Sequence, residues 1–161
     1  FMKKRRGKFI VLDGIDGSGK GTQMKKLVEF LKREGYRIAQ FDFPQYSKPS
    51  AYFVEKYLNG RYGKLLKVGP YKASLFYALD RFDVRDQMEK ALSEGKIVIS
   101  NRYVAANMGH QGSRISDSKV RKEFFASHDS WAKQMAGDTV LTDMLEKLYT
   151  PGKEFFKIVR L

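Results

Sequence analysis

Phe9 to Thr22 read FIVLDGIDGSGKGT, an apolar run, a glycine-rich loop and the start of a helical pattern. A strand, a loop and a helix in this order are what a phosphate-binding loop requires. Glycines let the backbone curl until several N–H groups point at one anion, while the helix N-terminus and the Lys20 ammonium add positive charge. An ordinary glycine-rich turn is the alternative, but the flanking strand and helix favour a loop that binds a nucleotide triphosphate.

Apolar runs that suit buried strands alternate with amphipathic patterns that suit helices along the rest of the chain. This alternation indicates right-handed βαβ units, so we predict an α/β fold of three layers, with a doubly wound parallel sheet of the P-loop NTPase type. The predicted strands are 9–12, 37–42, 97–99 and, as the last parallel strand, 155–161. The first predicted helix begins after Gly19 and ends at Gly35. Further helices are predicted over 52–58, 71–92 and 138–149, and another begins with residues 116–125.

Composition indicates one small cytoplasmic enzyme domain over residues 1–161. The chain has no cysteine, and no apolar stretch reaches the length of a membrane span. Its 31 Lys and Arg against 18 Asp and Glu give a net charge of +13, which attracts polyanions. The basic residues are scattered, apart from Lys3 to Arg6, and no nucleic-acid motif accompanies them. A solvated basic surface that draws in phosphorylated small molecules is therefore favoured over nucleic-acid binding.

The end of the pattern departs from a complete sheet of this type. We find no strand between Phe125 and Trp131, and no helical pattern after the last predicted strand to cover it. An uncovered parallel strand would expose apolar surface. A strand and a lid are therefore expected to be missing at about 126–131. Either the fold is pared down or, as we favour, the sequence joins segments that are not contiguous in the full protein.

Four further groups of residues follow the ends of predicted strands or lie on the long helix. Open α/β sheets bind ligands at the carboxyl ends of their strands. Tyr77 and Arg81 are four residues apart, so an aromatic face and a guanidinium lie on one side of a helix; a core tyrosine with a surface arginine is the alternative. Arg102 suits phosphate oxygens, and an Asn107 amide suits a base edge. The groups are Asp13 with Asp16 (the latter alternatively a turn-forming residue), Phe43-Pro44-Gln45-Tyr46, Tyr77 with Arg81, and Asn101 to Asn107.

Together these motifs resemble the thymidylate kinase family of P-loop nucleoside monophosphate kinases, over about residues 8 to 115. The matching motifs are Gly-x-Asp-Gly-x-Gly-Lys, Phe-Pro-x-Tyr, Leu-Phe-Tyr-Ala-Leu-Asp-Arg and Arg-Tyr-Val-Ala-x-Asn. Adenylate kinases share the loop but would need Gly-Phe-Pro-Arg where this chain has Ser-Asn-Arg-Tyr-Val. The resemblance implies ATP-dependent phosphorylation of dTMP to dTDP with Mg²⁺, and a homodimer.

The resemblance also implies a role for each matching residue. Lys20, Arg102 and Asp16 would be catalytic, with Arg102 bridging the two reacting phosphates and Asp16 holding the 3′-hydroxyl of the acceptor. Thr22 would lie near the magnesium, with Asp13 as a second candidate. The residues implied for the ATP phosphates are Gly14, Asp16, Gly17, Ser18, Gly19, Lys20, Gly21 and Thr22; those implied for dTMP are Asp16, Phe43, Tyr46, Tyr77, Arg81, Arg102, Asn107 and His110.

Two departures from the family pattern affect the expected chemistry. Asn101 stands where the family has an acidic residue, and we expect Asp13 to compensate for the lost carboxylate. Gly17 leaves the loop without an arginine, and no arginine lies between Arg121 and Arg160 to supply one from a lid. Another nucleoside monophosphate kinase and a nucleotide-binding module without catalysis are therefore kept as alternatives.

Overall fold

The computed structural model describes residues 7–136 and 157–158. These residues form two compact units, one of 7–43, 84–103 and 157–158, and one of 44–83 and 104–136. The strands are β1 (Phe9–Asp13), β2 (Ile38–Asp42), β3 (Ile97–Asn101) and β4 (Lys157–Ile158). The helices are α1 (Lys20–Arg33), α2 (Tyr52–Leu58), α3 (Leu65–Val68), α4 (Pro70–Asp83), α5 (Arg85–Ser93), α6 (Val104–Gly112) and α7 (Ser118–Ala136), with one 3₁₀ turn at Pro49–Ala51.

The first unit is built on a sheet with strand order β2-β3-β1-β4. β3 pairs in parallel with both β1 and β2, as the alternation of strands and helices predicted. The last predicted strand is described only at Lys157–Ile158, where it pairs antiparallel to β1. The expected parallel direction is therefore wrong for this pair, because an apolar run carries no information about strand direction.

Helices cover both faces of this sheet. Ile97 and Ile99 of β3 pack with Leu12 and with Val28 of α1, whereas Val98 between them packs on the opposite side with Met88 and other residues of α5. Successive side chains of a strand point to opposite faces of the sheet, so a strand that is apolar at every position is buried on both faces. This confirms the predicted layers and brings the carboxyl ends of β1, β2 and β3 to one edge.

Two predicted helices differ from the structure. The pattern from Tyr71 to Leu92 predicted one helix, but α4 ends at Asp83 and α5 begins at Arg85. Val84 between them has φ −106° and ψ 5°, and its side chain is buried in the apolar cluster of the first unit. An apolar residue at helical spacing does not reveal such a break, because the spacing continues through it. The predicted helix over 138–149 lies outside the described residues.

The second unit is helical. Tyr57 of α2, Val68 of α3 and Ala73 of α4 form its apolar cluster, and α4 also packs against α6. Asp117 caps α7, since its Oδ1 accepts hydrogen bonds from the N–H groups of Lys119 and Val120 at 2.8 and 2.9 Å. α7 continues through residues 126–131, the interval in which no strand was predicted. Among the described residues, no helix is long and apolar enough to cross a membrane.

Candidate active site

The glycine-rich loop lies between β1 and α1 in the first unit. Gly17 and Gly19 have φ of 79° and 78°, a left-handed backbone that other residues rarely adopt. A Cβ at either glycine would meet no atom within 4 Å, so backbone conformation rather than space requires glycine there. Gly19 is the N-cap of α1 and offers no side-chain acceptor, and the first turn of α1 contains no acidic residue. The free N–H groups of this turn are therefore available to an anion.

Lys20 is folded back over this loop. Its side chain is buried, with 8% of the residue exposed. Nζ donates to the carbonyl oxygen of Ile15 at 2.6 Å and makes a longer contact of 3.5 Å with Ser18 Oγ. Burial lowers the pKa of Lys20, and the charge of Arg102 lowers it further, whereas Asp16 and Asp13 act in the opposite direction. The loop thus holds an ammonium group whose only hydrogen-bond partners among the described residues belong to the loop itself.

Arg102 follows β3 with a strained backbone. Its φ is 63°, a left-handed conformation that costs a non-glycine residue about 1–2 kcal/mol. Two hydrogen bonds hold it there: Arg102 N donates to Leu12 O at 2.8 Å, and Ser100 Oγ donates to Arg102 O at 2.6 Å. Strain of this kind is often found at functional sites. The conformation aims the guanidinium at the loop.

Arg102 and Asp16 form an ion pair through Nη2 and Oδ1. The Arg102 side chain is 16% exposed, whereas that of Asp16 is 87% exposed. The loop carboxylate is therefore open to a ligand and at the same time fixes the arginine. Three residues predicted to be catalytic, Lys20, Arg102 and Asp16, lie together in one unit.

Asn101 and Asp42 form a contact that sequence reasoning missed. They are register partners at the ends of β3 and β2, and Asn101 Nδ2 donates to Asp42 Oδ1 at 2.9 Å. Asn101 Oδ1 is buried and has no hydrogen-bond partner among the described residues. Asp42 ends a strand that was predicted correctly, so its position beside Asn101 was the available signal. The structure gives the Asn101 amide a contact with Asp42, whereas compensation by Asp13 stays a prediction.

Magnesium fits the oxygen donors near the loop. Thr22 contributes an exposed hydroxyl on α1, and Asp13 contributes a carboxyl group at the end of β1. Asn101 contributes the buried oxygen described above. Within the described residues, no three His, Cys, Asp or Glu side chains form a metal cluster. Mg²⁺ usually takes one or two protein oxygens together with substrate phosphates and water, so these donors suit an ion that arrives with a nucleotide.

Most residues predicted for the acceptor lie in the second unit, whereas Asp16, Arg102 and Phe43 lie in the first. Phe43 is buried there in the core, with its ring tilted against that of Tyr103. Tyr46 is 58% exposed at the tip of a turn. Tyr77 lies partly buried on α4, and its ring is edge-on to that of Tyr57, with 6.4 Å between the ring centroids. Arg81 follows one turn later on the same helix and is also partly buried, whereas His110 of α6 is exposed.

Asn107 is the most informative polar residue of the second unit. It lies on α6 and is only 4% exposed. Neither its Nδ2 nor its Oδ1 has a hydrogen-bond partner within the part of the chain that the structure describes. Buried side-chain amides are nearly always hydrogen-bonded, so this one calls for a partner that supplies both a donor and an acceptor.

A buried hydrogen-bond network around Asp80 was not predicted. Asp80 is 1% exposed, and its Oδ2 accepts a hydrogen bond from Gln45 N at 3.0 Å. Its Oδ1 accepts one from Ser50 Oγ at 2.7 Å, and Gln45 Nε2 donates to Asp80 O at 3.2 Å. The network ties the turn that contains Tyr46 to α4. An acidic residue inside an apolar helix motif was the available signal.

Comparison with known proteins gives one family. The model of the family described as Thymidylate kinase matches residues 12–127. A probable thymidylate kinase of Pyrococcus horikoshii is 34% identical over 161 residues, 97% of this chain and 78% of that protein. The human thymidylate kinase is 31% identical over 113 residues, 70% of this chain and 51% of that protein.

The matched relatives are longer than this chain. A thymidylate kinase of Pelotomaculum thermopropionicum is 37% identical over 108 residues, which are 66% of this chain and 49% of that protein. The chain thus spans about half the length of two of these three relatives. The solved thymidylate kinase of Candida albicans superimposes with a TM-score of 0.61 at 20% identity, over 92% of this chain and 70% of that one. That likeness supports the fold.

Proposed function

The chain belongs to the thymidylate kinase family, and on that premise we propose that it transfers the γ-phosphoryl group of ATP to dTMP, giving ADP and dTDP. The observation that carries the proposal is the convergence of Lys20, Arg102 and Asp16 at the ends of β1 and β3. Transfer of a phosphoryl group needs alignment and charge stabilisation rather than covalent help from the protein. A buried ammonium and a fixed guanidinium beside an anion-binding loop suit that task.

The loop and Lys20 bind the donor in this proposal. Backbone N–H groups between Gly14 and Thr22 donate hydrogen bonds to the phosphate oxygens, and Nζ of Lys20 gives up its bond to the Ile15 carbonyl to bind them as well. Because the Lys20 side chain is largely shielded from solvent, its charge is less screened than that of a surface lysine. Bound Mg²⁺ would neutralise charge on the β- and γ-phosphates. Thr22, Asp13 and the unpartnered oxygen of Asn101 are the residues that would hold it.

Arg102 and Asp16 work at the point of transfer. The guanidinium binds phosphate oxygens through two N–H groups and offsets the charge that develops on the γ-phosphoryl group. Asp16 is exposed enough to accept a hydrogen bond from the 3′-hydroxyl of the acceptor while it keeps Arg102 oriented. The ion pair therefore links the position of the acceptor sugar to that of the arginine.

Residues of the second unit bind the acceptor in this proposal. The unpartnered Asn107 amide supports a contact with a pyrimidine edge, which offers a donor and an acceptor side by side. Tyr77 stacks on the base, Arg81 contacts its edge, Tyr46 contacts the phosphate and His110 lies near the sugar. Phe43 is buried beside Tyr103, just before the Tyr46 turn in the sequence.

We also propose that the protein is a homodimer in the cytoplasm. Leu75, Leu79 and Phe82 are exposed apolar residues four and three positions apart, so they form one stripe on α4. A second copy that buries this stripe removes it from water. Sedimentation of the wild type and of Phe82→Asp tests this: we expect a dimer for the first and a monomer for the second, and a wild-type monomer contradicts it.

The reaction is tested by ADP release with a panel of nucleoside monophosphates. We expect release with ATP and dTMP to exceed release with dUMP, dCMP, AMP or GMP. A different preferred acceptor identifies another nucleoside monophosphate kinase. Binding of ATP without release for any acceptor identifies a nucleotide-binding module, and either result overturns the proposal. For the variant Lys20→Ala, the matched control is Lys25→Ala, which removes an exposed lysine from the same helix.

A further inference from the structure

The turn from Gln45 to Lys48 carries Tyr46 at an exposed corner. Lys48 N donates to Gln45 O at 3.0 Å, which closes a β-turn. Ser47, its third residue, has φ 66°, whereas Tyr46 before it does not have a positive φ. This is the pattern of a type II turn, in which glycine is preferred at the third position. A serine there is strained and needs support from outside the turn.

That support comes from Glu55 of α2. Ser47 N donates to Glu55 Oε1 at 2.7 Å. The other flank of Tyr46 is held by Asp80, which accepts the N–H of Gln45 at 3.0 Å. The backbone on each side of Tyr46 is therefore bound to a carboxylate from a helix, one from α2 and one from α4. The side chain between them remains exposed.

We propose that Glu55 is a positioning residue for Tyr46, and through it for the acceptor phosphate. This rests on the proposed function, in which Tyr46 contacts that phosphate. By accepting the Ser47 N–H, Glu55 stabilises the left-handed conformation of Ser47 and with it the direction in which Tyr46 leaves the turn. The carboxylate acts as a hydrogen-bond acceptor, so its charge is not required.

Two substitutions separate position from charge. Glu55→Ala removes the acceptor, so Ser47 relaxes and the KM for dTMP rises at least about threefold, with the KM for ATP unchanged. Glu55→Gln keeps an oxygen in the same place and retains a KM for dTMP near that of the wild type. Adding Ser47→Gly to Glu55→Ala recovers most of the loss, because glycine adopts positive φ without support. Glu29→Ala, on an exposed face of α1, is the matched control.

Hydrogen exchange at the Ser47 amide gives a readout that needs no nucleotide. We expect protection in the wild type and in Glu55→Gln, and loss of protection in Glu55→Ala. Unchanged protection in Glu55→Ala overturns the proposal, and so does lost protection with an unchanged KM for dTMP. A Glu55→Gln variant as impaired as Glu55→Ala also overturns it, since charge would then matter. A wild-type protein without dTMP-dependent turnover instead refutes the proposed function, while Ser47 exchange still decides what Glu55 does to the turn.

Discussion

Asn101 Nδ2 donates a hydrogen bond to Asp42 Oδ1 across 2.9 Å, joining the last residues of two neighbouring parallel strands. The amide therefore fits beside a carboxylate, whereas an acidic residue at position 101 would face a second negative charge there. The oxygen of the same amide remains buried without a partner in the described structure and is available to a ligand. Asp42 thus gives the Asn101 amide a hydrogen-bond acceptor that an aspartate at position 101 could not use.

Asn101→Asp is expected to lower both stability and kcat. It replaces a hydrogen bond to a carboxylate by repulsion, at a cost of about 1–2 kcal/mol near neutral pH. Repulsion raises the pKa of one carboxyl in the folded variant, so the folded state binds the proton more readily than the unfolded chain. Its stability deficit therefore shrinks as the pH falls toward about 4. Thermal unfolding across pH measures this.

The double variant Asp42→Asn with Asn101→Asp is the control for that prediction. It restores one amide and one carboxylate with their positions exchanged, so we expect it to be more stable than Asn101→Asp alone. A gain in kcat for Asn101→Asp at unchanged stability would contradict this. It would mean that the wild-type site is short of a carboxylate that neither Asp42 nor Asp13 supplies.

Lys20→Ala is expected to lower kcat by roughly a hundredfold or more, as when one preorganised electrostatic contact is lost from an active site. Steady-state ADP release measures the effect, with Lys25→Ala as a control whose activity stays near that of the wild type. Equal activity of the two variants would show that the loop does not use Lys20 on the phosphates.

The pKa of Lys20 gives a pH-dependent prediction. Burial and Arg102 lower this pKa below its ordinary value of 10.5, so the unfolded state binds the proton more tightly than the folded state. Between the lowered pKa of the folded state and the ordinary value of 10.5, the free energy of unfolding of the wild type should therefore rise with pH relative to that of Lys20→Met. Chemical denaturation of both proteins from neutral to alkaline pH tests this. A difference that stays constant or falls with pH contradicts the burial of a charged Lys20.

Tyr77→Ala is expected to raise the KM for dTMP while that for ATP stays nearly constant. Loss of stacking between a base and an aromatic ring costs about 1–3 kcal/mol. Tyr77→Phe should behave like the wild type, because the ring is retained. Equal effects of Tyr77→Ala on both substrates would mean that the ring only packs against Tyr57.

Local patterns predicted the parallel strands, the loop and the grouping of Lys20, Arg102 and Asp16, because each depends on residues close in sequence or at strand ends. The break at Val84 escaped prediction, since burial in the sheet's core interrupts a helix whose apolar spacing continues. The contacts of Asp42 with Asn101 and of Asp80 with Gln45 join residues 59 and 35 positions apart. Polar pairs at such separations leave no periodic trace in a sequence.

The central claim is tested most directly by following the labelled γ-phosphoryl group of ATP. With dTMP and Mg²⁺ present, the label is expected in dTDP, and Lys20→Ala is expected to slow this transfer by roughly a hundredfold or more while Lys25→Ala preserves it. Label that stays in ATP, or that is released only as inorganic phosphate, while the wild-type protein binds both nucleotides, would contradict the account.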